Sequence, residues 1–153
     1  MTSNLKDNLL KNNIGMMKFK GLLAGSISLN GYSPDLLKNA VQQYSRRGEL
    51  SKCEWCVVEL DIFSECGGEP IRTNNINRLI VQTCEDIGVA EPTLPIYIGK
   101  LVREWDNDRN SGKGVDRLAL LKIVNLISNS PKSYLLNDIK AVYQDGLEYS
   151  EIT

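Results

Sequence analysis

From residue 33 to residue 143 the apolar side chains return every three or four positions, in short runs that glycine and proline cut apart. That spacing lines one face of an α-helix, whereas a strand against a core needs an apolar residue at every second position. No such alternation lasts long enough to build a sheet, and no segment repeats at a fixed period. The chain therefore reads as all-α, a small bundle of five or six helices.

Local signals set the expected boundaries. Ser33-Pro34-Asp35 combines a capping hydroxyl, a proline suited to the first helical position and an acid for the helix dipole. A helix is expected from there to about Arg47, with Leu37, Ala40, Val41 and Tyr44 inward and Gly48 ending it. Ser51 with Glu54 reads as a capping box for a second helix, whose apolar face takes in Trp55, Cys56, Val58, Leu60, Ile62 and Phe63. Gly67-Gly68-Glu69-Pro70 stops it. Thr73 then caps a third, with Ile76, Leu79, Ile80, Cys84 and Ile87 inward and Gly88 as a left-handed C-terminal cap.

Beyond Pro92 and Pro95 a fourth helix carries Ile96, Ile98, Leu101, Val102 and Trp105, and 106–114 reads as a polar loop. A fifth helix is expected over 115–127 with Leu118, Leu121, Val124 and Leu126 inward, and a sixth from Pro131 through Tyr143. Residues 1–31 form a less regular N-terminal arm, with a short helix expected over 5–11; 32–145 form the helical domain; 146–153 read as a frayed tail.

At 153 residues with 42% hydrophobic and 24% charged side chains, the chain can bury a self-sufficient core. It has neither a membrane-length apolar run nor a signal peptide, so an intracellular location is expected, in cytoplasm or nucleus, with a virion also open. Its four cysteines then read as reduced thiols. The net charge of −1 is uneven: residues 1–52 hold eight Lys or Arg against three acids, and the remainder ten against sixteen. A basic end facing an acidic remainder argues against broad polyanion binding by the whole chain.

The absence of histidine removes Ser-His-Asp and Cys-His catalysis and histidine-ligated metals. Cys53 and Cys56, with Cys66 and Cys84, match a zinc set only in number: the first two lie within a helix without a turn glycine, and the others are isolated. Buried thiols are the expectation, with no metal. Asn110-Ser111-Gly112-Lys113-Gly114 lacks the earlier glycine and the Ser or Thr after lysine of a phosphate loop. No catalytic residue and no cofactor are expected. The remaining candidate is a basic contact patch of Lys38, Arg46 and Arg47, although the two arginines at a helix end are explained first by the helix dipole and the exposed carbonyls.

The run 40–92 resembles the C-terminal helical region of the clamp-loader-like AAA+ ATPases known as replication-associated recombination protein A, or Werner-helicase-interacting protein. Its specific part is Glu85-Asp86-Ile87-Gly88-Val89-Ala90-Glu91-Pro92, similar to the family's Glu-Asp-Ile-Gly-x-Ala-x-Pro signature. Arg46-Arg47-Gly48, Trp55, Leu60, Gly68-Glu69 and Asn77-Arg78-Leu79 stand in the family's order, and 128–143 is similar to its final helices. Stand-alone proteins of this type also resemble ones encoded by large DNA viruses.

The resemblance implies a helical collar for oligomerisation and contact with replication machinery. Within it Ile87 is expected to anchor in the core, Gly88 to take positive φ, and Pro92 to open the next helix. Glu85, Asp86, Ile87, Gly88, Ala90 and Pro92 are thus structural. No nucleotide motif stands in these residues, so hydrolysis is not implied. The expected function is a non-catalytic protein-interaction or oligomerisation domain of the DNA-replication or recombination accessory type, partnered by protein. The alternatives are a nucleic-acid-binding module using the basic N-terminal half, and a virion structural or scaffold component.

Overall fold

The computed structural model describes residues 17–21 and 25–144. The helix expected over 5–11 and the tail 146–153 lie outside the described residues. Among those described, the order is α1 (Pro34–Arg46), α2 (Leu50–Asp61), a 3-10 turn (Ile62–Cys66), α3 (Glu69–Gln82), a π-helical turn (Thr83–Ile87), a 3-10 turn (Gly88–Ala90), α4 (Leu94–Ser111), α5 (Asp116–Asn129) and α6 (Leu135–Gln144). The all-α bundle is as the periodicity predicts. Extended pairing among these residues is limited to one antiparallel bridge, Lys18 to Ile27.

α2 runs through the centre, against α1, α3 and α5, and α4 lies along α5. Its Cys53, Val57 and Leu60, with Phe63 just beyond, are fully buried against Ile71 and Leu79 of α3 and Ile123, Val124 and Ile127 of α5. Each such side chain removed from water contributes roughly 1.5–3 kcal/mol.

The start of α1 follows the sequence closely: Ser33 Oγ accepts the Leu36 amide hydrogen at 3.3 Å, and Pro34 fills the first turn. Several other boundaries do not. The Ser51–Glu54 capping box does not form, because α2 begins at Leu50 and so takes Ser51 into its first turn; Glu49 precedes it and pairs with Lys52 at 2.5 Å. Thr73 lies inside α3, which Gly68 and Pro70 start instead, and its hydroxyl accepts from Arg109 at 3.0 Å. Pro92 stands in the turn before α4, whose first turn holds Pro95.

The polar loop expected over 106–114 is largely helix. α4 continues to Ser111, helped by an Asp106–Arg109 pair at 2.6 Å, until Gly112 turns left-handed at φ 68°. α6 starts at Leu135, later than Pro131, because residues 131–134 take no regular structure. The inward face of α5 is also rotated from expectation. Ala119, Leu120, Ile123, Val124 and Ile127 are buried, while Leu118 is 59% exposed and Leu121 and Leu126 are half-buried. This helix serves α2 on one side and α4 on the other, so a single-stripe reading misplaces its phase. Trp55 and Ile96, expected inward, are at the surface.

The described part of the arm, 17–21 and 25–31, is irregular but anchored. Met17 is buried, and the turn after Ile27 is tied to α2 through Glu59, itself buried. Glu59 accepts from Ser28 Oγ and the Asn30 amide at 2.7 Å each and from Asn30 Nδ2 at 2.9 Å.

Candidate interaction surface

The signature segment is an inter-helix joint. Arg46, in the last turn of α1, donates from Nε and Nη2 to the two carboxylate oxygens of Asp86, each at 2.9 Å. Asp86 is 0% exposed. A planar fork matched to a carboxylate is a strong charge-assisted pair, and it holds the Arg46 guanidinium above its ordinary pKa. The Arg46 guanidinium also lies 5.7 Å from the ring centre of Tyr134, and the Asp86 carbonyl accepts the Ser133 amide at 2.7 Å. One residue thereby ties α1 and the lead into α6 to the end of α3.

Ile87 is fully buried, as the resemblance implies. Gly88 has φ +43° with ψ −113°, positive φ but outside the left-handed helical region expected of a C-terminal cap. The cause is the π-helical turn Thr83–Ile87, which widens the helix end so that the Gly88 amide bonds back to the Thr83 carbonyl. A side chain at Gly88 would also come 2.9 Å from Leu136 Cδ1 of α6. Glu85 and Ala90 are half-buried, and Pro92 is exposed.

The three residues of the expected basic patch are placed differently from one another. Lys38 is 7% exposed, its ammonium 3.6 Å from Asp35. Arg46 is engaged by Asp86, and Arg47 is exposed. Nine positions along a helix turn through about 900°, so Lys38 and Arg47 stand on opposite faces of α1. They do not form one basic surface.

Cys53 and Cys56 are buried, Cys66 is half-buried and Cys84 is exposed. Cys53 donates to the Val41 carbonyl at 3.5 Å, and burial pushes its pKa up to about 11. Burial, with Glu59 nearby, also raises Cys56. Raised thiols are poor ligands and nucleophiles near neutrality. Among the described residues no group of three or more His, Cys, Asp or Glu is placed to hold a metal ion. Nor is any described helix long and apolar enough to cross a membrane.

Two features escape sequence reading. The first is an ion network at one pole. Arg72 of α3, almost wholly buried, donates to Asp61 and Glu69 at 2.8 Å each and to Asp116 at the start of α5, while Arg117 reaches the other Asp61 oxygen at 2.7 Å. Burial alone would lower the Arg72 pKa; the bonds to Asp61 and Glu69 outweigh it and leave it raised. Trp105 lies between two guanidiniums, 4.4 Å from Arg109 and 5.7 Å from Arg72. The network joins four helices and faces mostly inward, as a structural tie.

The second is a groove of about 490 Å³ between α1 and α2. Ala40 and Tyr44 line one side, Trp55 and Cys56 the other, and Tyr32, just before α1, meets Trp55 edge-on with ring centres 5.8 Å apart. Leu36 is 55% and Trp55 48% exposed. The Lys52 ammonium stands 5.4 Å from the Tyr44 ring centre at the rim. Glu59 in effect sets this wall, because the turn it holds carries Tyr32. Aromatic side chains with a low ordering cost around an apolar floor suit a protein contact better than proton transfer.

No protein-family model matches the chain, and no curated protein is significantly similar to it.

Proposed function

We propose that this chain is a non-catalytic helical interaction domain of the replication-accessory type, and that it self-associates through the groove between α1 and α2. The observation that carries this reading is the aromatic and apolar rim of Tyr32, Leu36 and Trp55, side by side and open to water. Interface centres are enriched in tryptophan and tyrosine, and a patch of this kind facing its own copy makes a closed two-fold contact, the commonest symmetric assembly. The Arg46–Asp86 joint acts on helix placement and leaves the outer faces to make contacts.

Light scattering across a concentration series tests it. Mass should rise above the 17.1 kDa monomer with concentration, and Trp55→Ala with Leu36→Ser should hold it at the monomer value.

A further inference from the structure

A second groove, separate from the first, lies between α4 and α5 and has a volume of about 590 Å³. Leu101, Leu121 and Leu126, all half-buried, form its floor, and the exposed Tyr97 and Leu118 stand at its lip. An apolar trough between two packed helices is a seat that a third helix can fill, with side chains at i, i+3, i+4 and i+7 as anchors. The length agrees. From Leu118 to Leu126 the trough follows α5 for eight positions, about 12 Å or two helical turns.

Charge selects among such helices. Lys100 and Lys122 line the groove, the first with its ammonium 5.7 Å from the Tyr97 ring centre, and Arg103 is exposed one turn further along α4. Against these three cations stand two carboxylates: Glu54 is half-buried, and Glu104 is engaged by Lys122 at 3.4 Å. Among the described residues neither Lys100 nor Arg103 is held in an ion pair. An acidic segment finds these two cations open, whereas a basic one meets like charge. Rim charges of this kind steer the choice of partner, while the leucines supply the affinity.

We infer that the α4–α5 groove docks an acidic amphipathic helix of a different protein, with its apolar side chains on the leucine floor and its carboxylates toward Lys100 and Arg103. The contact goes beyond self-association between α1 and α2 and uses another face of the molecule.

A display library of helical peptides about fifteen residues long, selected on the full native chain, tests it. Enriched peptides are then measured by fluorescence anisotropy against the native chain and three variants whose helicity is unchanged. Leu118 is 59% exposed, so Leu118→Glu spares the core. Peptides that lose about tenfold or more in affinity with Leu118→Glu should carry apolar residues at i, i+3, i+4 and i+7 and a net negative charge. Their affinity should also fall about tenfold when Lys100→Glu and Arg103→Glu are combined, and should be the same for Trp55→Ala as for the native chain. The inference is overturned if no enriched peptide responds to Leu118→Glu, if those that do are neutral or basic, or if they ignore the two charge reversals. It is equally overturned if Leu118→Glu alone lowers the mass of the chain in light scattering, which would make a second copy the occupant.

Discussion

Arg46 and Asp86, forty residues apart, meet in a two-pronged ion pair whose carboxylate is fully buried. Removing the cation leaves that carboxylate without its fork in a low-dielectric site, which is more damaging than never having had a charge there. Arg46→Ala is expected to lower the unfolding free energy by about 3 kcal/mol, toward the lower end for buried pairs because the guanidinium is partly exposed. Adding Asp86→Asn should recover part of the loss. Urea denaturation of the two variants checks both.

At Gly88 two effects compete, the positive φ and the approach to Leu136. The Leu136 methyl is the end of a flexible, half-exposed side chain and can move, whereas the backbone cannot. Gly88→Ala should therefore cost about 1 kcal/mol or more, and adding Leu136→Ala should restore little of it. Recovery of most of the loss in the double variant would place the strain in the side-chain contact instead.

Glu59 holds the arm turn and, through it, Tyr32 against Trp55. Glu59→Ala removes an acceptor for three hydrogen bonds and should cost about 2 kcal/mol or more. The more specific outcome is local: trypsin should cleave at Lys18 and Lys20 faster, and Trp55 emission should shift to the red as Tyr32 leaves its edge. Unchanged proteolysis would mean that Glu59 does not hold the arm.

The Cys53 thiol has a folded pKa of about 11 against 9.0 for an ordinary thiol. Its raised folded value means that the unfolded chain loses the proton first. The stability tied to this group is whole below about pH 9, falls as pH rises toward 11, and amounts to roughly 2–3 kcal/mol over that window. Urea midpoints at pH 8 and pH 10.5 should differ more for the native sequence than for Cys53→Ala.

The legible parts were those fixed by neighbours in sequence. The cap at Ser33, the proline behind it and the stop at Gly48 act within one turn, and α1 appears where they point. What failed depended on partners far along the chain. Arg72 finds Asp116 at a separation of 44 residues and Arg117 finds Asp61 at 56, distances that no local pattern registers. The phase of α5 departs from the single-stripe expectation because the helix is covered from two sides, and Trp55 because an apolar position in a helix does not say whether a neighbour covers it. The π-helical turn of the signature segment is invisible to sequence reading, since π and α turns use the same residues. The Tyr32–Trp55 contact joins the irregular residues before α1 to a helix, and periodicity says nothing about such residues.

Self-association through Tyr32, Leu36 and Trp55 is read by light scattering on the full chain. The mass should climb from 17.1 kDa with concentration for the native sequence and stay there when Trp55→Ala and Leu36→Ser are combined, with helicity unchanged. A native chain that remains monomeric throughout, or a double variant that associates as readily as the native one, would contradict it.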